Sequence, residues 1–360
     1  MRARRIVFVG AGQPLECREV DVPGPGPGEA VVRTVLAGVC GTDVHRLKGD
    51  LPLPPTPVAF GHEGVGRVHS LGPGLVSDRA GSPVAEDDLV YWGPLGDRPL
   101  SAPTTGWPPP ADLPSPAAYQ DYATLPAGNL FYRIPDGTSP DAVIAFGCAM
   151  PTALGAISRV GGISPGQTVV IQGAGPVGLA STVLCSLRTA RRVIVIDGSP
   201  ARLAAAIRLG ADHTMDLRST TVEGRKAEVL GLTGGRGADV VIEATGRLEA
   251  FTEGTELLAY GGRYAIVGIY SGKGHVRLDP VALNNRNQAV IGSLGPAGLD
   301  DYGTTVEMAR RHGHTLGFGD LITDRFPLSR TSDAIERVRS GRAIKAVVMP
   351  ELDEPLGSGL

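Results

Sequence analysis

The spacing of apolar residues changes near residue 150 of this chain. Before that point, short runs such as EAVVRTVLAGV and GVGRVHSLG are separated by Pro and Gly turns, which is typical of strands. After it, QTVVIQGAGPVGLASTVLCSLRTA and RVIVIDGSPARLAAAIRLGA each read as a buried strand followed by a helix. Strands that alternate with helices predict a parallel, doubly wound sheet. We therefore expect an α/β protein with a β-rich domain at residues 1–150 and a doubly wound domain at residues 151–296.

The last sixty residues change pattern again. TTVEMARRHG and TSDAIERVRS predict helices, and IKAVVMP predicts a closing strand. We expect this tail, residues 297–360, to complete the first domain. A Pro-rich stretch at residues 92–116 shows neither helical periodicity nor strand alternation, so it predicts a long loop or lobe, whose role the sequence leaves open.

Composition and net charge restrict the classes of partner that we expect this chain to bind. The chain has 360 residues, of which 42% are hydrophobic and 20% charged, and its net charge is -3. This balance gives no positive field for nucleic acid or anionic membrane, so we expect small-molecule partners. The arginines at the N-terminus precede an apolar run that is too short for a signal peptide, and no run approaches the roughly 20 residues that span a bilayer. We expect a soluble, cytoplasmic protein.

A glycine motif follows one of the predicted strands. In VVIQGAGPVGLA, the three glycines Gly173, Gly175 and Gly178 stand where a strand turns into a helix. Such glycines let the backbone approach a pyrophosphate, whose charge lies at the helix N-terminus. Asp197 ends the next strand, where a carboxylate accepts bonds from the ribose hydroxyls and repels a 2′-phosphate. The sequence therefore favours NAD over NADP, whereas VGAG at 9–12 and TGGRG at 233–237 predict plain turns.

Thiol and imidazole groups offer a second site. Cys40, His62 and Cys148 together would make the three-ligand set of a catalytic zinc, which keeps a fourth position open. Two other interpretations remain from spacing alone: buried structural residues, a description that also fits Cys17 and Cys185, or a reactive thiol at Cys40. The widely spaced cysteines predict reduced thiols rather than a disulfide framework. The surrounding stretch GVCGTDVHRLKGD could also be an ordinary turn.

Five motifs carry a family resemblance. GVCGTDVH, GHEGVG, GCAMPTALGA, VVIQGAGPVGL and VIVIDGSPARL occur in the order found in the zinc-dependent medium-chain alcohol dehydrogenases, and the resemblance covers nearly the whole chain. It implies a GroES-like catalytic domain and a Rossmann coenzyme domain. It also implies that Cys40, His62 and Cys148 bind one catalytic zinc.

The same resemblance assigns roles to further residues. In the catalytic domain, Asp43 matches the acid that orients the ligand histidine, Glu63 a carboxylate behind the metal, and Thr42 with His45 a proton relay. Beside the coenzyme, the matching positions are Thr152 and Val177 at the nicotinamide, Arg202 at the adenosine ribose, and the basic Arg247 and Lys345.

One feature departs from the family. Many relatives hold a structural zinc with four closely spaced cysteines, and here the Pro-rich stretch with Trp92 and Trp107 takes their place. We therefore expect no structural zinc. A homodimer or homotetramer is expected from the resemblance alone.

The expected reaction is hydride transfer between a primary, secondary or polyol alcohol and NAD, or reduction of the matching carbonyl compound. Two alternatives stay open. One is a zinc-free, NADPH-dependent enone or quinone reductase of the same fold, and the other is a non-catalytic NAD-binding relative. The sequence does not indicate the substrate, because pocket residues come from several loops.

Overall fold

The computed structural model describes residues 1–51, 56–96, 110–188, 190–270 and 274–353. Within them the chain forms two compact units, one of residues 1–148 with the segment from 302 onward, and one of residues 149–301. The helices of the described residues include none that is long and apolar enough to cross a membrane.

The N-terminal segment is mostly strand. Its elements are β1 (Arg2–Phe8), β2 (Glu16–Asp21), β3 (Ala30–Gly38), α1 (Gly41–Lys48), β4 (Val58–Ala59), β5 (Gly64–Leu71), β6 (Leu89–Gly96), β7 (Tyr122–Leu125), β8 (Asn129–Arg133) and α2 (Pro140–Ile144). The predicted strands EAVVRTVLAGV and GVGRVHSLG are confirmed as β3 and β5. The stretch beginning at Cys40 is not a turn, because Gly41–Lys48 forms a helix that ends at Gly49 in the left-handed conformation.

The middle segment alternates strands and helices. Its elements are α3 (Ala149–Arg159), β9 (Thr168–Gln172), α4 (Pro176–Leu187), β10 (Arg192–Asp197), α5 (Pro200–Arg208), β11 (His213–Asp216), α6 (Val222–Leu232), β12 (Ala238–Glu243), α7 (Leu248–Leu257), β13 (Leu258–Ile266), α8 (Pro280–Asn285) and β14 (Ala289–Gly292). The strands form a parallel sheet in the order β11-β10-β9-β12-β13-β14. The strand order reverses beside β9, so the loops after β9 and β12 meet at the carboxyl edge, where such folds bind ligands.

The C-terminal segment contains α9 (Asp301–His312), β15 (Ile322–Pro327), α10 (Thr331–Arg339) and β16 (Lys345–Met349). β16 pairs antiparallel with β3, so these strands extend one sheet in the order β15-β16-β3-β5-β6-β8, to which β7 adds beside β3. A smaller sheet has the order β2-β1-β4. Apolar side chains of both sheets and of α10 form the core of this unit. The fold is therefore a β-rich GroES-like unit and a Rossmann-type parallel-sheet unit, as the sequence predicted.

The described part of the Pro-rich stretch begins with strand residues that the sequence did not predict. Residues 92–96 belong to β6, and the Trp92 ring is completely buried. Gly64 on β5 lies opposite Trp92, and a Cβ there would come within 2.3 Å of the ring. The expectation of a loop from residue 92 was therefore wrong at its start, because the missing side chain of Gly64 makes the room that a proline-rich pattern does not reveal. Trp107 lies outside the described residues.

A buried arginine holds the end of that stretch. Arg5 on β1 donates hydrogen bonds to Gln120 Oε1 (2.6 Å), to the Ala111 carbonyl (2.8 Å) and to the Leu113 carbonyl (2.7 Å). Burial lowers the pKa of Arg5 to about 10, so the guanidinium remains charged at neutral pH. Residues 111–120 are thus ordered by hydrogen bonds to the neighbouring sheet.

Candidate active site

Four candidate residues lie in helix α1 or immediately before it. Cys40 immediately precedes the helix, and its backbone N–H donates to Asp43 Oδ2 at 3.0 Å. This bond fixes the first turn, as a capping carboxylate three residues into a helix does. Thr42 and His45 follow on the same short helix and are both half-buried.

The Asp43 carboxylate is the centre of a buried network. It is fully buried, and it accepts hydrogen bonds from the Tyr119 hydroxyl at Oδ2 (2.8 Å) and faces His62 Nδ1 at Oδ1 (3.1 Å). A carboxylate at Nδ1 keeps the proton on that nitrogen and leaves Nε2 as the electron-pair donor. Asp43 therefore orients His62 as a candidate metal ligand.

Three ligand atoms converge beside this network. One donor atom each of Cys40, His62 and Cys148 lies within 4.8 Å of the others, and the two sulfur atoms are 3.4 Å apart. Two thiolates and an imidazole suit zinc. The donor set therefore fits a zinc ion, with room in its usual coordination for one further ligand.

The pKa shifts of the three candidate ligands also fit a metal site. The hydrogen bond from the Cys148 thiol, with His62 nearby, lowers the pKa of Cys40 well below its usual range and raises that of Cys148 well above. Burial alone would lower the pKa of His62, but the charge and hydrogen bond of Asp43 raise it well above its ordinary value. In the metal-free chain Cys148 and His62 thus keep protons that a bound cation would replace.

The Glu63 side chain contacts the backbone of the turn that carries Cys148. Its Oε2 accepts a hydrogen bond from the Cys148 backbone N–H at 2.6 Å, and its Oε1 is paired with the Lys345 ammonium. Both side chains are almost completely buried, and Glu63 raises the pKa of Lys345 in spite of that burial. Gly147 leaves space for this carboxylate, since a Cβ there would lie 1.8 Å from Oε2. The Glu63–Lys345 pair therefore holds the turn at Cys148, and neither residue is one of the three candidate metal ligands.

The two relay candidates lie beside the ligands. The Thr42 hydroxyl is 3.7 Å from the Cys40 sulfur, and His45 Nδ1 is 3.0 Å from the Asp50 carboxylate. His45 is partly exposed, with 23% of its side chain accessible. Thr42 therefore lies next to a candidate metal ligand, and His45 is accessible to solvent.

The second unit carries the glycine turn. Gly173 follows β9 with φ +94°, and a Cβ on Gly178 would come within 1.8 Å of the Gly173 carbonyl. Gly175 is the residue before α4, and no side chain caps this end of the helix. Uncapped helix N-termini offer backbone N–H groups to anions, so the turn is a candidate phosphate site.

Asp197 at the end of β10 adjoins this turn. Its Oδ2 accepts from the Ala174 N–H and its Oδ1 from the Ser199 N–H, both at 2.7 Å. Each oxygen retains a further lone pair for a hydroxyl donor. The carboxylate is therefore held rigidly next to the glycine turn.

The other predicted coenzyme residues are placed as follows. Val177 lies in the first turn of α4 and Arg202 in the first turn of α5, whereas Thr152 lies on α3, and all three are half-buried. Arg247 precedes α7 and is exposed. Lys345 belongs to the other unit, where its ammonium is committed to Glu63.

Sequence reasoning missed two hydrogen-bond partners of the site residues and misjudged the exposure of one cysteine. Tyr119 is 76 residues from Asp43, and no pattern indicates their contact. Asp50 could have been found, because it is five residues after His45 within the same quoted stretch. Cys17, expected to be buried, is exposed because β2 is an edge strand, whereas Cys185 is buried and its pKa is raised to about 12.

Comparison with known proteins identifies the family of this chain. Residues 26–136 match the family model "alcohol dehydrogenase GroES-like domain", and residues 176–311 match "zinc-binding dehydrogenase". The 5-exo-hydroxycamphor dehydrogenase of Pseudomonas putida is 41% identical over 96% of this chain and 98% of its own. The chain belongs to the zinc-dependent medium-chain alcohol dehydrogenase family.

Other relatives agree with this membership. An L-threonine 3-dehydrogenase of Saccharopolyspora erythraea is 30% identical over 96% of this chain and 98% of its own. The crystal structure of an alcohol dehydrogenase from Thermotoga maritima superposes with a TM-score of 0.86 at 31% identity, covering 97% of this chain and 99% of that one. The predicted family, fold and reaction class are confirmed: this dehydrogenase interconverts alcohols and carbonyl compounds.

The Lys345→Met substitution tests the pair behind the ligands. It leaves the Glu63 carboxylate buried without a cation, and we expect it to lower the free energy of unfolding by about 3 to 5 kcal/mol at neutral pH.

Urea unfolding of the metal-free protein at neutral pH measures this effect. The double variant Glu63→Gln/Lys345→Met, which carries no buried charge at the pair, should recover most of the lost stability. Lys226→Met, which removes an exposed lysine paired with Glu256, is the matched control. A double variant that is no more stable than Lys345→Met would contradict the electrostatic account.

Proposed function

We propose that this protein is a zinc- and NAD-dependent dehydrogenase of a bulky secondary alcohol of the hydroxycamphor type. The observation that carries the proposal is the convergence of Cys40, His62 and Cys148 within 4.8 Å, with Asp43 behind the histidine. The oxidising coenzyme follows from the glycine turn and Asp197. The alcohol class follows from the relative named above, which is similar over almost its whole length.

Zinc at the three ligands would act as a Lewis acid that lowers the pKa of an alcohol toward neutrality. The chain's own contribution is to hold two thiolates and one imidazole in place. Asp43 fixes the tautomer of His62, and Glu63 fixes the backbone at Cys148. Such supporting contacts tune metal affinity by roughly 10- to 100-fold in other sites. Because four cysteines serve the whole chain and two are ligands here, we infer one zinc per chain and no structural zinc.

Residues of α1 would remove the alcohol proton. The Thr42 hydroxyl would accept this proton and donate its own onward toward His45. The imidazole, held at Nδ1 by Asp50, then releases the proton to water from a partly exposed position. Histidine suits this task because its ordinary pKa is about 6.5.

The coenzyme would accept the hydride of the alcohol carbon. Gly173, Gly175 and Gly178 would receive its pyrophosphate at the start of α4. The Asp197 carboxylate would bind both ribose hydroxyls and repel the 2′-phosphate of NADP. Val177 and Thr152 would restrain the nicotinamide, with Arg202 and Arg247 near the adenosine end.

An NAD-coupled substrate panel tests the proposed class. We expect turnover of bicyclic secondary alcohols, hydroxycamphors among them, with kcat/KM at least tenfold above that of L-threonine, ethanol and sorbitol. Absorbance of NADH at 340 nm gives the rates. Equal rates across the panel would contradict the substrate class, and no turnover of any alcohol or carbonyl compound with zinc present would favour a non-catalytic NAD-binding protein.

The Cys148→Ala substitution tests the metal. Loss of one of three ligands should reduce zinc to below about a tenth of an equivalent per chain and abolish turnover, while NAD still binds to the other unit. Elemental analysis and NAD titration measure the two properties. Cys185→Ala, which removes a buried cysteine of α4, is the matched control and should keep one zinc. Full activity of the wild-type protein after complete zinc removal would favour the zinc-free reductase.

The Asp197→Ala substitution tests the coenzyme. It removes the proposed acceptor of the ribose hydroxyls and the charge that repels a 2′-phosphate. We expect the Kd for NAD to rise at least tenfold and the preference for NAD over NADP to fall by two orders of magnitude or so, since each lost bond to a charged group is worth about 1.5–3 kcal/mol. Asp212→Ala, which removes a carboxylate bonded to Val193 N–H elsewhere in the same sheet, is the control. An unchanged preference would remove Asp197 from the ribose site.

A further inference from the structure

A buried carboxylate lies at the carboxyl edge of the parallel sheet. Glu243 is the last residue of β12, next to the point where the strand order reverses, and its side chain has no accessible surface. Its Oε1 accepts hydrogen bonds from the backbone N–H of Thr245, from the Thr245 hydroxyl and, at 2.8 Å, from the Gly246 N–H. One oxygen atom thus orders the whole turn after β12.

The main-chain carbonyl of the same residue binds the neighbouring loop. It accepts the Val267 and Gly268 N–H groups, each at 2.9 Å, at the end of β13. Gly246 and Gly268 bring the two loops into backbone contact, since a Cβ on Gly268 would lie 2.1 Å from the Gly246 nitrogen. Glu243 therefore connects the loops after β12 and β13.

The ordered turn faces the glycine turn after β9. The methyl group of Thr245 would lie 2.8 Å from a Cβ placed on Gly173, and the Ala244 carbonyl would lie 3.3 Å from it. Thr245 thus packs on Gly173 while its hydroxyl bonds to Glu243. The Glu243 carboxylate holds the turn that forms one wall beside the proposed pyrophosphate site.

The second carboxylate oxygen has a different environment. Within the described residues, Glu243 Oε2 and the Tyr270 hydroxyl are both buried, and the two side chains are neighbours without a hydrogen bond of good geometry. Burial and the neighbouring carboxylate raise the pKa of the Tyr270 phenol, which therefore stays protonated. All of the observed ordering passes through Oε1, an acceptor that a glutamine amide also supplies.

We propose that Glu243 is a positioning residue of the coenzyme site, which fixes Thr245 against Gly173 so that the crevice is formed before NAD binds. The inference rests on the proposed NAD-binding function of this unit. A preformed crevice binds more tightly because less ordering is required on binding. Loss of the acceptor should therefore weaken NAD binding more than it affects turnover at saturation.

Three variants test this role in the full-length zinc-loaded protein. Glu243→Ala should raise the Kd and the KM for NAD at least tenfold, keep kcat within about threefold and leave zinc content unchanged. Glu243→Gln, which keeps the acceptor, should restore the Kd to within about threefold of wild type. Glu249→Ala, on the exposed first turn of α7, is the matched control and should leave all values unchanged.

A pair at Thr245 keeps the test decisive where Glu243→Ala fails to fold. Thr245→Val retains a methyl group toward Gly173 but loses the hydroxyl, so we expect a Kd for NAD raised by about three- to fivefold. Thr245→Ser retains the hydroxyl and should bind NAD more tightly than the valine variant. Titration of NAD by protein fluorescence, at temperatures below the Tm of every variant, gives the constants.

The outcomes separate this inference from the function on which it rests. A wild-type protein that binds neither NAD nor NADP would overturn the proposed function. A wild-type protein that binds NAD, together with Glu243→Ala that binds it equally well and only melts at a lower temperature, would show a merely structural role. Glutamine as damaging as alanine would overturn the acceptor mechanism.

Discussion

A single buried carboxylate connects the parts of the candidate metal site. Asp43 bonds to the start of its own helix, to the candidate ligand His62 and to Tyr119, and these contacts join residues 3, 19 and 76 positions apart in the chain. A charge without access to water requires such partners, because burying it unpaired is costly. The requirement keeps α1 and His62 in one arrangement, and the position of Cys40 depends on it.

Both units contain a buried glutamate that orders a turn, and the two turns carry different functional groups. In each, a fully buried glutamate uses its oxygens to order a turn that carries functional atoms, at Cys148 in one unit and at Thr245 in the other. Glycines make both placements possible, since side chains at Gly147 or Gly268 would collide with the carboxylates. Rigid turns of this kind hold reactive groups in place without occupying their functional atoms.

The charges at the metal site explain its arrangement. Cys40, Cys148, Asp43 and Glu63 bring acidic groups into one buried region, and the Lys345 ammonium is paired with Glu63 there. This pairing leaves the two thiols to a divalent cation in the proposed zinc site. The expected place of Lys345 near the coenzyme stays a prediction.

The sequence by itself determined the change from strands to alternating strands and helices, the glycine turn with Asp197 and the three candidate ligands. These features are local, because periodicity and turn chemistry act over a few residues. Only the tertiary structure decided that residues 92–96 form a strand under Gly64, that Cys40 precedes a helix and that Tyr119 closes on Asp43. The role of Glu243 also needed the structure, since its partners come from loops that meet only where parallel strands end side by side. Contacts between residues distant in the chain depend on packing, which a local pattern does not record.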